Sequence, residues 1–327
     1  VECRAKEGKH INTIKEDLEA LVDKRLHWTL LTLPILGIVI FTILPLVFMI
    51  CMAFTSYSKV GDHLTIFHWV GLKNFSTVLG MGNSIGKTFW SVLGWTLIWA
   101  VLATFLNYIL GMILAIVINR KTTRIKGFWR FCFMLSAAIP QFVSLLLMRT
   151  MLKDNGLINN LLVQAGLISS PLPFLTNATW ARATVVIINL WVGIPFTMMQ
   201  VTGILQNIPG ELYEAARVDG AGPVTIFFKI TLPYMLFVTT PYLITTFTGN
   251  INNFNVIYLL TAGAPVPVGA TAGKTDLLVT WLYKLTVDLQ YFNVGAVVGI
   301  LTFVILAVVS LITYRNTGSY KNEEGFQ

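Results

Sequence analysis

Charged residues are scarce in this sequence. Asp, Glu, Lys and Arg make up 12% of its 327 residues, against 55% hydrophobic residues and a mean hydropathy of +0.71. Because a soluble globular protein has roughly 25% charged residues, this composition indicates a membrane protein. The net charge of +8 comes from Lys and Arg residues that lie between apolar runs rather than on one face, which argues against nucleic-acid binding.

The residues from which catalytic and metal sites are built are also few. The 3 cysteines and 4 histidines form no cluster at metal-ligand spacing, and no serine lies beside a base. Residues 82–88 and 269–275 look like phosphate-binding loops, but each is one residue short of G-x-x-x-x-G-K-[ST]. We therefore expect no catalytic residue, no metal and no cofactor on this chain.

Six apolar runs are long enough to cross a membrane, since a hydrocarbon core of about 30 Å needs roughly 20 helical residues. None of the 15 acidic residues falls within a run, so the sequence offers no proton relay. With a cytoplasmic N-terminus, 15 of the 23 Lys and Arg residues face the cytoplasm, which predicts that both termini are cytoplasmic. The predicted fold class is an all-α polytopic membrane protein with six transmembrane helices. The runs cover residues 30–54, 89–118, 131–152, 183–205, 234–260 and 294–314.

These runs divide the chain into three predicted segments. Residues 29–315 are expected to form the transmembrane domain, and residues 316–327 a cytoplasmic tail. Residues 1–28 carry apolar side chains at helical spacing among charged ones. This pattern predicts an amphipathic helix on the cytoplasmic membrane surface or against a partner, and a solvated lead-in helix fits it equally well.

The loop between the fourth and fifth runs, residues 206–233, predicts a helix–turn–helix. Residues 211–218 are expected to form a short helix entered from Pro209. Residues 219–222 have turn chemistry, and Pro223 suits the first position of a second helix. The second helix adds apolar surface on the cytoplasmic side, which needs a partner to cover it.

This loop also carries a family motif. Glu214-Ala215-Ala216, three residues, Gly220, nine residues and Ile230-Thr231-Leu232-Pro233 match the E-A-A, G, I-x-L-P pattern, and here the chain resembles the importer-type ABC permeases. The resemblance implies a type I importer core whose short helix docks on an ATP-binding subunit. By resemblance, Glu214 reaches a basic or polar partner, Ala215 and Ala216 allow close approach, and Gly220 makes the turn.

Two spans and a later segment resemble the larger permease subunit of the maltose and maltodextrin ABC importers. Residues 189–196 resemble that family's N-L-W-x-G-x-P-Y, residues 249–254 resemble F-N-x-N-N-F, and residues 275–279 resemble T-D-L-L-V. Phe196 stands where the family has tyrosine, and Gly249 where it has phenylalanine. The expected substrate is therefore an oligosaccharide, without maltose itself being specified.

Sugar binding gives these positions a physical reason, because amides both donate and accept hydrogen bonds and aromatic rings cover a hexose's apolar face. Helical spacing puts Asn189, Gly193 and Phe196 on one face of a helix, and Gly249, Asn250 and Asn253 on one face of another, with the glycines leaving room for a sugar ring. Hydrogen bonds that only join helices would explain Asn250, Asn252 and Asn253 equally well. The predicted substrate-binding residues are Asn189, Gly193, Phe196, Gly249, Asn250 and Asn253.

The resemblance also implies partners. These are a homologous second permease subunit, two ABC ATPase subunits that bind ATP and Mg, an extracellular solute-binding protein, an oligosaccharide and the lipids of a bacterial cell membrane. Two alternatives stay open. A permease for glycerol phosphate would use Arg149 or Arg182 for the phosphate. A secondary transporter would couple to sodium through backbone carbonyls, although the coupling motif argues against it.

Overall fold

The structure is a computed structural model that describes residues 26, 28, 30–60, 63–64, 67–120 and 122–315. The predicted tail, and the predicted N-terminal segment apart from Leu26 and Trp28, lie outside the described residues. One small antiparallel pair joins β1 (Lys59–Val60) to β2 (His63–Leu64). The helices are, in chain order, α1 (Leu30–Ala53), α2 (Lys73–Leu79), α3 (Ser84–Asn119), α4 (Lys126–Ala138), α5 (Gln141–Met151), α6 (Leu157–Gln164), α7 (Ala178–Gln206), α8 (Gly210–Val218), α9 (Pro223–Ile251), α10 (Phe254–Leu260), α11 (Leu278–Tyr283) and α12 (Phe292–Arg315).

Five helices of the described chain are long and apolar enough to cross a membrane: α1, α3, α7, α9 and α12. They overlap five of the six predicted runs. Proline shapes two of them, because α1 and α9 widen into π-helical turns at Val39–Ile43 and Phe227–Thr231, just before Pro45 and Pro233. A proline has no N–H, and its ring crowds the carbonyl four residues earlier. The hydrogen bonds of the preceding turn therefore join residues five apart, as in a π-helix, instead of four apart.

The third predicted run, residues 131–152, is not a continuous helix. It forms α4 and α5, which are bent by 83° to each other. Ile139 ends α4 in an extended conformation with ψ 127°, because the ring of Pro140 disfavours a helical conformation in the residue before it. The prediction of six spans therefore holds only if this bent pair counts as one span.

The fifth predicted run, residues 234–260, is also divided. The helix α9 begins earlier, at Pro223, and ends at Ile251, and α10 begins at Phe254. The side chain of Asn253 accepts a hydrogen bond from the backbone N–H of Val256, so this asparagine caps α10. Asparagine is among the residues that favour a helix N-cap, which explains the break within an apolar run.

Two glycines bring α3 and α7 close together. A Cβ on Gly111 of α3 would lie 2.7 Å from the Thr197 side chain, and a Cβ on Gly193 of α7 would lie 2.7 Å from the amide of Asn107. Small residues allow helix backbones to approach within a membrane, where packing takes the place of the hydrophobic effect. This pair places Asn107 beside the face of α7 that carries Asn189.

Three buried clusters hold the helices together. The first joins α1, α3, α11 and α12 around Phe89, Trp281 and Val297. The second joins α3, α5, α7 and α10 around Trp99 and Leu145, and the third joins the ends of α3 and α7 to α9. The second cluster surrounds the α9–α10 break, where the Trp99 indole N–H donates to the backbone carbonyl of Asn250 over 3.1 Å.

The segment that precedes α11 is fixed by a buried ion pair. Asp276 is 1% exposed, and its Oδ2 lies 2.6 Å from Lys284 Nζ. Its carboxylate also accepts hydrogen bonds from the backbone N–H of Gly273 and from the Thr280 hydroxyl. Since a buried charge needs both a partner and hydrogen bonds, this arrangement holds the loop rigidly against α11.

Candidate functional site

The predicted helix–turn–helix of residues 206–233 is confirmed. The helix α8 runs from Gly210 to Val218, and Pro223 is the first residue of α9. Between them Gly220 adopts φ +78°, a conformation that a side chain would strain. The N–H of Gly220 bonds to the carbonyl of Arg217, and that of Ala221 to the carbonyl of Ala216, so a complete Schellman motif ends α8.

The predicted coupling residues lie on an accessible face. Glu214 and Ala215 are exposed, Ala216 is half-buried, and the chain reverses at Gly220. Tyr213 holds α8 against α9 through a 3.2 Å hydrogen bond between its hydroxyl and that of Thr231. The short helix is therefore held against the long helix α9.

An open groove of about 660 Å³ adjoins α8. Its walls include Tyr213 and Arg217 of α8 and the apolar side chains of Val224, Phe227 and Phe228 at the start of α9. Phe228 is 59% exposed. The predicted apolar surface of the second helix is thus present next to the motif.

The first three predicted sugar residues lie on one face of α7, as their spacing predicts. Asn189, Gly193 and Phe196 all line a cavity of about 310 Å³, whose other wall is the break between α4 and α5. Asn189 is 7% exposed, and no described residue forms a hydrogen bond with its side-chain amide. Phe196 is 55% exposed. An amide at a cavity wall that forms no hydrogen bond within the described part of the chain, beside an open ring, suits a polyhydroxyl ligand.

The same three residues also line a second cavity, of about 160 Å³. Its remaining walls come from α3 and α9 and include Asn107, Tyr242 and Asn250. Asn250 is therefore the one member of the predicted 249–253 group that joins the α7 residues in a cavity. The two cavities therefore share three residues of α7.

The expectation that Gly249, Asn250 and Asn253 share a helical face is wrong, because α9 ends at Ile251. The Asn250 amide donates to the Thr104 hydroxyl over 3.0 Å and accepts from the Asn253 amide over 3.3 Å. These bonds join α3, α9 and α10. The hydrogen bonds show that Asn250 and Asn253 connect helices. Contact of either residue with a sugar stays a prediction.

The two glycines differ in their surroundings. The space beside Gly193 is filled by the Asn107 amide, so its missing side chain serves helix packing rather than leaving room for a ring. A Cβ on Gly249 would meet nothing within 4 Å, and Gly249 lines neither cavity. Gly249 is therefore free of packing constraints, and its predicted role in binding stays untested.

Sequence reasoning missed several polar residues of the two cavities. Gln141 and Ser144 face the larger one from the start of α5, and Asn107 faces the smaller one from α3. The signal available in the sequence was Pro140. A proline within an apolar run leaves carbonyl groups of the preceding turn without a hydrogen-bond donor, and it places the residues that follow at the start of a new helix. Asn107 carried no comparable signal, because its position depends on the α3–α7 contact.

No charged side chain of the described residues lines either cavity. The two arginines considered for a phosphate are placed elsewhere. The Arg182 guanidinium lies 4.5 Å from the ring centre of Trp95, and its Nε donates to the backbone carbonyl of Lys274. Arg149 lies in the last turn of α5 and is half-buried. The cavities are therefore suited to a neutral, polar solute.

Comparison with known proteins gives three consistent likenesses. Residues 107–317 match the family model described as the binding-protein-dependent transport system inner membrane component. The galactooligosaccharides transport system permease protein GanP of Bacillus subtilis is 36% identical over 321 residues, covering 97% of this chain and 76% of that protein. The maltodextrin transport system permease protein MdxF of Bacillus subtilis is 36% identical over 332 residues, covering 97% and 75%.

Among solved structures, a bacterial alginate ABC transporter in complex with its alginate pentasaccharide-bound periplasmic protein contains a similar chain. The TM-score is 0.72 at 23% sequence identity, and the match covers 90% of this chain and 94% of that one. At this identity the likeness concerns the fold alone.

Proposed function

Because this chain belongs to the family of inner membrane components of binding-protein-dependent transport systems, we propose that it forms the path of a neutral oligosaccharide in an ABC importer. The chain is a multi-pass membrane permease subunit, and its family is not itself catalytic. The two relatives at 36% identity are named for galactooligosaccharides and maltodextrin, and these names support an oligosaccharide as the proposed substrate.

The observation that carries the proposal is the lining of the two cavities. Among the described residues, Asn189 offers an amide without a hydrogen-bond partner, Phe196 offers an open aromatic ring, and no charged side chain lines either cavity. An amide pairs with two hydroxyls at once, and a ring covers the apolar face of a hexose. The same lining argues against a glycerol phosphate, because a phosphate would be left without a cation.

The proposed assembly contains a homologous second permease subunit, two ATPase subunits and an extracellular solute-binding protein. ATP and Mg belong to the ATPase subunits in this scheme. The exposed motif on α8, and the groove of about 660 Å³ beside it, support docking of an ATPase subunit. Glu214 is then the charged contact, Ala215 and Ala216 permit close approach, and Gly220 fixes the angle between α8 and α9.

The proposed location is the bacterial cell membrane, with both termini of this chain in the cytoplasm. The domain division is likewise part of the proposal: a transmembrane permease domain over residues 29–315 between two cytoplasmic segments. The distribution of Lys and Arg supports this orientation. It also puts α8 on the side of the membrane where ATP is available.

Uptake by a strain that depends on this subunit tests the substrate class. Radiolabelled maltotriose and galactotriose are supplied separately, and unlabelled maltose, longer maltodextrins, raffinose and glycerol phosphate are added as competitors. We expect uptake of at least one trisaccharide, competed by neutral oligosaccharides and unaffected by glycerol phosphate. Competition by glycerol phosphate alone, or uptake of neither trisaccharide, would overturn the proposal.

A further inference from the structure

Two cations meet at the corner where the long helix α3 ends and α4 begins. The Nζ of Lys126 donates to the backbone carbonyl of Asn119 over 3.1 Å, and the Nη2 of Arg130 donates to the side-chain Oδ1 of the same asparagine. Both cations are half-buried. They lie four residues apart on α4, so one face of this helix holds two like charges against a single neutral residue.

No carboxylate of the described residues balances these two charges, since the one ion pair among those residues joins Lys284 to Asp276. The sequence between residues 63 and 153 contains no Asp or Glu, whereas residues 120–130 contain five Lys and Arg. Like charges four residues apart on a helix are destabilising, and a half-buried cation loses part of its hydration. An anion bound at this corner would offset both costs.

The neighbouring side chains hold the Arg130 guanidinium in one orientation. Its Nε is buried and has no hydrogen-bond partner among the described residues, so this atom cannot reach a ligand. Its Nη1 forms no hydrogen bond within the described part of the chain and is the donor available to an anion. Asn119 is itself fixed, because its Nδ2 donates to the carbonyl of Ala115 and to the hydroxyl of Thr202 in α7.

The position of this corner indicates a lipid as the source of the anion. Asn119 is the last residue of α3, which is long and apolar enough to cross a membrane, so the two cations lie where hydrocarbon meets headgroups. Phe128 and Trp129, between the two cations in sequence, are exposed. Tryptophan is typical of this interface, and Lys and Arg clustered beside a spanning helix attract anionic lipids. A soluble anion would leave both aromatic rings uncovered.

We propose that Lys126 and Arg130 form a binding site for the phosphate of an anionic phospholipid, whose acyl chains contact Phe128 and Trp129. Lysine has three N–H donors and the bond to Asn119 uses one, so Nζ and the Arg130 Nη1 both donate to phosphate oxygens. The site lies on the side of the membrane that the Lys and Arg distribution predicts to be cytoplasmic. It does not depend on which solute the transporter carries.

The test measures binding of dioctanoyl phosphatidylglycerol to the purified assembled transporter in a neutral detergent, by native mass spectrometry of the first bound lipid. The variants are Lys126→Gln, Arg130→Gln and the double variant. Glutamine keeps an amide donor for each bond to Asn119 and removes the charge. We expect each single variant to bind the lipid about 5-fold more weakly and the double variant about 30-fold more weakly, the effect of losing one or two cations near a membrane surface.

Arg120→Gln is the matched control. It removes one positive charge from the same loop, but Arg120 is exposed and lines the groove beside α8. We expect its lipid binding to stay within about twofold of native, since salt screens an exposed charge. Phosphatidylcholine, inorganic phosphate and glycerol phosphate are the comparison ligands. Phosphatidylcholine should bind the native and double-variant complexes equally, and neither soluble phosphate should displace phosphatidylglycerol, because neither has acyl chains to contact the aromatic rings.

Weaker binding of phosphatidylglycerol by the double variant, at a native melting temperature, supports the site. Native binding by the double variant would show that the two cations only hold the corner between α3 and α4. Displacement of the lipid by inorganic phosphate would make this a site for a soluble anion. Equal binding of phosphatidylglycerol and phosphatidylcholine by the native complex would show that another subunit neutralises the cations. Each of these three results overturns the proposal.

An effect of Arg120→Gln as large as that of Lys126→Gln would also overturn it, because the lipid would then respond to net charge alone. If the double variant does not assemble, Lys126→Gln decides the result, since Arg130 still bonds to Asn119 in that variant. The lipid measurements leave the proposed transport of an oligosaccharide untouched. A transporter that takes up neither trisaccharide but binds phosphatidylglycerol as expected would overturn the proposed substrate and leave the lipid site standing.

Discussion

At the scale of single residues, asparagine has three distinct uses in this chain. Asn189 lines a cavity with an amide that has no partner among the described residues, Asn253 caps α10, and Asn250 joins α9 to α3. The side chains are chemically identical, so only their positions separate the proposed binding of sugar from the joining and capping of helices. Substitutions that keep one function and remove the other can therefore separate the roles.

Asn253→Ala should lower the stability of the assembled complex by about 1 kcal/mol, since it removes the N-cap of α10. It also removes the bond to the Asn250 amide. Asn253→Ser keeps a capping oxygen and should restore most of the thermal stability, measured as the melting temperature of the purified complex. Transport by the serine variant then reports whether Asn253 contacts the sugar. Native uptake would exclude a sugar contact, and impaired uptake at native stability would support one.

Gly193→Ala should destabilise the complex by about 1–3 kcal/mol, because overpacking a close helix contact forces the backbones apart. The new Cβ would lie 2.7 Å from the Asn107 amide. The control is Gly249→Ala, also within a helix, where nothing lies within 4 Å and alanine is the better helix former. We expect the control to be as stable as the native protein or slightly more so. Equal melting temperatures for all three proteins would contradict the close packing at Gly193.

At the scale of elements, α8 is the part whose shape its sequence encodes most completely. A proline precedes it, Gly220 ends it through a Schellman motif, and Pro223 begins the next helix. All of these signals are local, since each depends on the conformation of one or two residues. The chain alone therefore forms this element.

Glu214→Lys should reduce sugar-stimulated ATP hydrolysis by the assembled transporter about tenfold or more. Losing one partner of an interfacial charge pair costs about 2–5 kcal/mol, and the reversed charge adds repulsion. Glu214 is exposed, so the membrane subunit should stay folded and inserted. Glu211→Lys, one turn earlier on the same exposed helix, is the control and should retain most of the stimulation. Normal stimulation in the assembled Glu214 variant would remove the coupling role.

At the scale of the whole molecule, the loop before α11 and the helix α8 are predicted to lie on opposite sides of the membrane. The Lys and Arg distribution provides this orientation, and coupling to a cytoplasmic ATPase requires it. Both regions offer well-exposed positions for chemical labelling. Val218 is 88% exposed at the end of α8, and Val268 is fully exposed in the other loop.

A cysteine at Val218 should react only with reagents that enter the cytoplasm, and a cysteine at Val268 should react with an impermeant maleimide from outside. The background protein must lack the native cysteines, because Cys51 is exposed. Labelling of intact cells followed by mass shift on a gel measures both positions. The reverse pattern would invert the orientation and remove the argument for coupling through α8.

The sequence by itself determined the membrane class, five spans, the helix–turn–helix and the shared face of Asn189, Gly193 and Phe196. Each of these depends on composition, helical period or turn chemistry, which act over a few neighbouring residues. The tertiary structure decided that the run around Pro140 bends by 83° and that the run through Asn253 divides. It also decided that the Asn107 amide packs against Gly193, with a buried oxygen that has no hydrogen-bond partner among the described residues. These features arise where residues far apart in sequence come together, because a hydrogen bond or a close contact between two helices depends on both of them.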